Sequence, residues 1–227
     1  MPLGDILFIK DHHRKVAQEI TDLVLNNDTG KKISIAIIGE SGAGKSEIAH
    51  TIASNLFKSE RNLKPFIVHT DDFYTLTYKE RKELRQKTNL ESIGPSEIDF
   101  DELNYVLKKF ESGEKILIPI LEYITSSAYK LVVDFKNIQV LICEGLYAPM
   151  LKVTHRIFMD LTYHDTKDFR AERGKEVENE FILKVLEKEH QAVSQLREQA
   201  DYLITKDYSL IDSTLTQIQK RSVLKKG

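Results

Sequence analysis

The chain has 227 residues, a net charge of −2 and a composition that is 41% hydrophobic and 30% charged, which suits one soluble α/β domain with a sizeable core and gives no global field to select nucleic acid. A single cysteine, Cys143, excludes an internal disulfide framework and points to a reducing cytoplasm; it lies in an apolar run and reads as a small core residue. Met1-Pro2-Leu3-Gly4-Asp5 opens no basic-then-apolar leader, and no apolar run reaches membrane-spanning length, so no membrane is expected as a partner.

In chain order, Val16, Ala17, Ile20, Leu23 and Val24 recur at helical spacing and predict a helix over 11–26, stopped by Asn26-Asn27-Asp28-Thr29-Gly30. His12 and His13 at its start are adjacent and share no helix face, so they read as a packed or solvated pair rather than metal ligands. The apolar run 33–38 predicts a buried strand, and a helix-competent run follows at 46–57. Between them lies Gly39-Glu40-Ser41-Gly42-Ala43-Gly44-Lys45-Ser46, which fits the phosphate-binding pattern G-x-x-x-x-G-K-[ST] in the strand–turn–helix context that pattern needs. Glycines let backbone N–H groups close on phosphate oxygens, and the helix N-terminus adds partial positive charge. Lys45 can reach the outer phosphates, and the Ser46 hydroxyl can ligate Mg²⁺.

Residues 64–69 predict a second strand that runs into Thr70-Asp71-Asp72-Phe73-Tyr74. Open α/β sheets present catalytic groups at the carboxyl ends of their strands, so two acids here suit a base and a Mg²⁺ outer-sphere partner; the plainer alternative is a pair of turn-forming residues. Residues 75–98 are polar, with a short exposed helix on which Lys79, Arg81, Lys82, Arg85 and Lys87 read as a solvated face, the alternative being cations available to a phosphorylated acceptor. Asp99-Phe100-Asp101-Glu102 has capping-box spacing before a helix with Leu103, Val106, Leu107 and Phe110 inward, stopped by Ser112-Gly113. Two short strands, 116–119 and 129–134, flank the loop Thr125-Ser126-Ser127, and 75–135 reads as a lobe covering an acceptor pocket.

The apolar strand 138–143 ends at Glu144-Gly145, where an acid suits Mg²⁺ held directly or through water. Another strand is expected at 156–160. The charged stretch 165–180 then reads either as a solvated helix face or as a lid whose arginines close on the transferring group. A long helix over 176–196 turns Val177, Phe181, Val185, Leu186 and Val193 inward and carries His190 in a structural role. Residues 201–205 are expected to be the last strand, before a terminal helix with Leu210, Ile211, Leu215 and Ile218. The expected architecture is α/β, a P-loop nucleoside-triphosphate hydrolase fold: one domain over 1–227 with a mostly parallel sheet flanked by helices, a small acceptor-covering insertion at 75–135 and a lid at about 163–178.

The phosphate loop, Thr70-Asp71-Asp72-Phe73-Tyr74, Asp99-Phe100-Asp101, Leu141-Ile142-Cys143-Glu144-Gly145, the Arg170–Lys175 charge cluster, Glu189-His190 and Ala200-Asp201-Tyr202-Leu203-Ile204 stand in an order that resembles uridine kinases and phosphoribulokinases over roughly residues 32–206. The resemblance implies an ATP- and Mg²⁺-dependent kinase acting on a small hydroxyl-bearing acceptor, nucleoside or sugar-like, with a homo-oligomer left open. It gives ATP phosphates and Mg²⁺ to residues 39–46, the role of base to Asp71, and metal assistance to Glu144 with Ser46 and Asp72. It places Lys45, Arg170 and Arg173 on the transferring group, and Tyr74, Asp99 (or Asp101) and Glu122 on the acceptor beside Asp71. Uridine kinases usually carry Pro-x-Tyr-Asp followed by His, where this chain has Pro119-Ile120-Leu121-Glu122 and no following His, so the acceptor stays open between a nucleoside and a sugar or sugar phosphate. Of the competing classes, a switch GTPase would carry Asn-Lys-x-Asp, which Thr205-Lys206-Asp207 does not match; the other is a non-catalytic nucleotide-binding module.

Overall fold

A run of six residues, apolar but for Ser34 and buried from end to end, belongs in the middle of a sheet with both faces covered, and strand β1 (Ile33–Ile38) takes that place. A computed structural model describes residues 6–122, 127–174 and 179–213. Its strands are β1, β2 (Pro65–His69), β3 (Lys115–Glu122), β4 (Ser127–Asp134), β5 (Val140–Gly145), β6 (His155–Met159), β7 (Tyr202–Ile204) and β8 (Leu210–Asp212). The main sheet runs β2-β5-β1-β6-β7-β8; its pairs are parallel except β7 with β8. The helices are α1 (Asp11–Asn26), α2 (Lys45–Lys58), α3 (Tyr78–Lys87), α4 (Phe100–Ser112), α5 (Lys167–Arg173) and α6 (Glu180–Ser194).

The alternation of side chains along a strand sorts the core into two layers. Ile33, Ile35 and Ile37, with Ile142 and Met159, pack against Val16, Ala17 and Ile20 of α1 and Ile48, Ile52 and Leu56 of α2. Ala36 and Ile38, with Leu141, Cys143 and Phe158, pack against Leu103, Val106 and Phe110 of α4 and Val193 of α6. Cys143 is therefore a core thiol, and burial pushes its pKa up to about 12. Because β1 lies between β5 and β6, the chain leaves the sheet in opposite senses on its two sides, and ligands of open α/β sheets bind in the crevice such a reversal opens.

The acceptor-side lobe is hung on local signals. Asp99 caps α4 by accepting from the Glu102 amide at 2.9 Å, and its own amide donates to the Phe73 carbonyl at 2.8 Å, which ties the start of α4 to the end of β2. The antiparallel hairpin β3–β4 forms a separate small sheet, anchored by the Leu121 amide donating to Asp72 Oδ1 at 2.9 Å. The loop positions 125 and 126 lie outside the described residues; Ser127 opens β4 opposite Glu122.

Three expectations are corrected. Residues 201–205 are not the last strand: Leu210 and Ile211 extend the sheet as β8, antiparallel to β7, because a tight turn at Thr205–Ser209 folds the chain back; Leu215 and Ile218 lie outside the described residues. The long helix starts at Glu180, where the Asn179 side chain accepts from the Ile182 amide at 3.0 Å; Val177 lies outside the described residues. The basic face of α3 is not wholly solvated. Lys79, Lys82 and Lys87 are exposed, but Arg81 is half-buried and Arg85 is buried. Arg85 donates to both carboxylate oxygens of Glu97 at 2.8 Å and to Glu189 Oε1 at 3.1 Å, joining α3, the turn before α4 and α6. No helix among the described residues is long and apolar enough to cross a membrane.

Removing one partner of a buried ion pair leaves the other charge uncompensated. Arg85→Ala would strand two buried carboxylates, Glu97 and Glu189. It is expected to cost about 3–5 kcal/mol in urea unfolding, while Lys82→Ala on the exposed side stays within about 0.5 kcal/mol.

Candidate active site

Residues 39–46 leave β1 and enter α2 as the pattern requires. Gly44 is the N-cap of α2 in left-handed backbone (φ +93°), and Gly42 is left-handed as well (φ +78°). Neither position has room for a side chain: a Cβ would lie 2.6 Å from His13 Nε2 at Gly44 and 2.6 Å from Arg170 Cγ at Gly42. The loop is thus clasped by α1 on one side and α5 on the other. His12 and His13 are the expected packed pair. The His13 Nδ1 accepts from the Lys10 amide at 3.1 Å, Nε2 faces His12 Nε2 at 3.1 Å, and burial with the His12 and Lys10 charges lowers its pKa to about 4.

Glu40 anchors the loop from within. Its buried carboxylate accepts from the Tyr163 amide at 2.6 Å and from His190 Nδ1 at 2.6 Å, so the ring nitrogen facing the carboxylate carries the proton. The Thr166 hydroxyl donates to the Ser41 carbonyl at 2.9 Å, and Lys45 Nζ donates to the Glu40 carbonyl at 2.9 Å. Gly44 caps the start of α2, Lys45 opens that helix and the Arg170 side chain packs over Gly42, so helix N-terminal amides and two cations belong to one short stretch, an arrangement that suits an anion.

Three acids stand beside this cradle. Strand register sets Glu144 opposite Ile37 of β1 and His69 of β2. Its Oε1 accepts from Ser46 Oγ at 2.9 Å and from His69 Nδ1 at 2.7 Å. Burial alone would raise this carboxyl, but the His69 hydrogen bond and charge, helped by Lys45 and Ser46, bring it down to about 2. His69 moves the other way: burial lowers it, and the Glu144 contact, with Asp72 and Asp71, raises it above its ordinary value. Asp71, one residue beyond Thr70, is raised by burial and by Glu144, against the pull of Lys45, Arg81 and His69. Asp72 turns to the hairpin through Leu121, and burial raises it to about 7. Gly145 makes the packing possible, since a Cβ there would lie 1.7 Å from Thr70 Oγ1.

Ser46 and Glu144 are a touching pair of hard oxygen donors, which fits Mg²⁺ held by a few protein oxygens and completed by phosphates. Among the described residues no group of three or more His, Cys, Asp or Glu could hold a metal ion without such help.

The remaining expected residues divide. Tyr74 lies beside Asp71, and burial and the Asp71 charge keep its phenol protonated; the Arg81 guanidinium carbon stands 3.4 Å from its ring centroid. Asp99 is the cap of α4, and Asp101 on the first turn of that helix is exposed. Glu122 is half-buried at the end of β3. Arg170 and Arg173 are on α5, where Arg170 Nη1 donates to the Tyr163 carbonyl and to Thr166 Oγ1, the latter at 2.9 Å; residues 175–178 of the expected lid lie outside the described residues. Sequence reasoning missed His69, Glu40 as an anchor, and the pairing of Arg85 with Glu97 and Glu189. His69 left one trace, a polar residue closing an apolar strand next to an acid-bearing strand end.

A strand–glycine loop–helix unit with acids at the neighbouring strand ends and a basic helix across the loop defines a P-loop phosphotransferase fold. The chain belongs to the Phosphoribulokinase / Uridine kinase family, whose sequence profile matches residues 34–167. Uridine kinases of Staphylococcus aureus strains JH9 and Newman are 29% identical over 201 residues, spanning 82% of this chain and 94% of theirs. A solved structure described as a possible uridine kinase from Bacillus stearothermophilus superposes with a TM-score of 0.56 at 15% identity, over 84% of this chain and 97% of that one. The YGR205w protein superposes with a TM-score of 0.60 at 12% identity, over 87% and 96% of the two chains.

The perturbed groups give the fold a pH dependence of definite sign. Asp72, at about 7 against an ordinary 3.8, is more stable folded when protonated, so its contribution is lost as pH rises through about 7. His69 lies above its ordinary 6.5; its contribution is full below that value and is lost as pH rises through the folded one. Glu144 works oppositely, but its contribution disappears only on acidification toward about 2. His13, held down to about 4 by burial, opposes this below its ordinary 6.5, so the thermal midpoint is expected to fall as pH rises from about 6.5 to about 8. Asp72→Asn, which keeps an oxygen for the Leu121 amide, should flatten that slope; an unchanged slope would remove Asp72 from the account.

Proposed function

We propose that this chain is an ATP- and Mg²⁺-dependent kinase that transfers the γ-phosphoryl group to a hydroxyl of a small molecule, in a uridine kinase-like reaction. The observation that carries the reading is the meeting of three strand ends: the phosphate loop after β1, Asp71 after β2 and Glu144 closing β5. Family membership supports phosphoryl transfer.

Backbone amides of residues 39–46 and the start of α2 hold the ATP phosphates, with Lys45 on the outer ones. Ser46 and Glu144 are the residues that would hold Mg²⁺, which neutralises charge on the phosphates when bound. The acceptor hydroxyl sits at Asp71. Its oxygen forms the new bond to phosphorus as the bond from phosphorus to the ADP oxygen breaks, and its proton passes to the Asp71 carboxylate. A carboxyl raised by burial and by Glu144 is a stronger base than a solvated aspartate. Lys45, Arg170 and Arg173 lower the energy of charge on the transferring oxygens. Asp72, bound to Leu121, positions the hairpin over the acceptor.

Asp71→Asn is expected to keep ATP affinity within about two-fold, because Asp71 lies outside the phosphate cradle, and to lower turnover by about 10²–10⁴-fold. ADP release coupled across a panel of nucleosides, pentoses and their phosphates measures the second effect, and nucleotide titration the first. Full turnover in the variant would remove Asp71 as the base, and ADP release with no member of a broad panel would favour a non-catalytic nucleotide-binding module.

A further inference from the structure

Where β2 and β5 pack on α2, their shared face is apolar up to its last row. Ile67 of β2 and Val140 and Ile142 of β5 lie in that layer. Two residues further along each strand, the alternation of side chains returns His69 and Glu144 to the same face. They are register partners on neighbouring strands, and His69 Nδ1 stands 2.7 Å from Glu144 Oε1. Both side chains are largely buried, 13% and 6% exposed. The α2 side of this row is polar too. Ser46 and His50 are one turn apart on that helix and share a face. Ser46 Oγ donates to Glu144 Oε1 at 2.9 Å, and the His50 ring stacks on the His69 ring, with centroids 6.1 Å apart and planes at 18°. The contacts close a ring: from α2 through Ser46 to Glu144, across to His69, and back to α2 through His50.

An ionised carboxylate only accepts, so the proton of the His69–Glu144 contact is on Nδ1. The two donors to Glu144 differ in kind. A hydroxyl rotates to suit its partner, so Ser46 follows the carboxylate rather than aiming it. His69 donates along a fixed direction in the plane of its ring, and the ring is backed by His50. The strands themselves do not need this contact, because β2 and β5 are already paired through their backbones at the same row. Outer partners of this kind orient metal-binding carboxylates. Among the described residues no group of three or more His, Cys, Asp or Glu could hold a cation, so His69 is placed to aim a ligand rather than to be one.

We propose that His69, backed by His50, is a positioning residue for the divalent cation of this site, aiming the Glu144 carboxylate at the Ser46 hydroxyl before the cation arrives. The inference rests on Ser46 and Glu144 being the cation's oxygens, as the kinase reading has them.

The full chain, saturated with ADP, is titrated with Mn²⁺, and free Mn²⁺ is read from its electron paramagnetic resonance signal. His69→Leu, which keeps bulk and removes the donor, is expected to weaken Mn²⁺ binding roughly 10- to 100-fold. ADP affinity measured in a chelator should stay at the wild-type value, since Glu40 holds the phosphate loop from its other flank. Asparagine and glutamine tell which ring nitrogen matters: the Asn amide nitrogen overlays Nδ1, and the Gln amide nitrogen overlays Nε2. His69→Asn should therefore keep Mn²⁺ affinity near wild type, and His69→Gln should lose it. Both variants are neutral and polar, so this contrast decides the matter where His69→Leu does not fold. His50→Ala should give a smaller loss, and no loss there would remove His50 as the backing ring. The proposal is overturned if His69→Leu binds Mn²⁺ as wild type does while unfolding at lower urea, the mark of a purely structural pair. It is overturned equally if His69→Asn and His69→Gln bind alike. Glu144→Gln separates the inference from the reading beneath it. If that variant weakens Mn²⁺ binding and His69→Leu does not, the positioning role falls alone; if neither weakens it, the cation site is misplaced and both fall. His69-dependent Mn²⁺ binding with no transfer from ATP to any acceptor would sink the kinase reading alone.

Discussion

One carboxylate oxygen holds the catalytic edge of this molecule together. Glu144 Oε1 accepts from Ser46 at the start of α2 and from His69 at the end of β2, while its backbone is paired between β1 and β2. A buried carboxylate is costly unless its oxygens are hydrogen-bonded and its charge is met. Both conditions hold here, and the depressed pKa of Glu144 together with the raised pKa of His69 is the electrostatic record of it. The consequence is geometric. Three segments far apart in sequence converge on one point, so the hydroxyl of the phosphate loop, the acid of β5 and the turn that carries Asp71 are set relative to one another before any ligand arrives. Preorganisation of this kind is what phosphoryl transfer asks of a protein, because little covalent chemistry is left for the side chains.

Glu40 does on the other side of the loop what Glu144 does on this one. It joins the loop to α6 through His190 and to the segment before α5 through the Tyr163 amide. The loop is therefore fixed at both flanks, while α5 lies across it by lighter contacts: the Thr166 hydroxyl on the Ser41 carbonyl, and Arg170 packed over Gly42. Arg170 donates to neutral oxygens of Tyr163 and Thr166.

The phosphate-loop half of the candidate site was legible in the sequence as a strand–loop–helix unit, and the reason is local. A glycine loop between an apolar run and a helix is contiguous, and so are the acids that end strands β2 and β5; each can be read from neighbours alone. Asp99 as a helix cap was legible for the same reason, while its expected place on the acceptor was not decided by spacing. His69, Glu40 and Arg85 escaped because their meaning lies in partners 75, 150 and 104 residues away, and no periodicity encodes such pairs. The basic run on α3 was misjudged by composition: five cations on a polar helix describe a solvated face unless two of them, one turn apart, have buried carboxylates and an aromatic ring to meet. Strand β8 was lost to a helix because Leu210 and Ile211 fit either period over so short a stretch, and only the turn before them decides.

This division in legibility follows a division in construction. The donor half is locked by the register of a parallel sheet, where a shift of one residue would carry Glu144 away from Ser46 and His69 together. The acceptor half is hung from that sheet by fewer links: the Asp99 amide on Phe73, the Leu121 amide on Asp72, and the Arg85 cluster joining α3 to α6. Substitutions along β3, at Tyr74 or on the inner face of α3 leave the phosphate loop and the Ser46–Glu144–His69 contacts untouched. Leu121 shows how lightly the hairpin is hung. Its backbone amide, not its side chain, makes the hydrogen bond that holds the hairpin to Asp72.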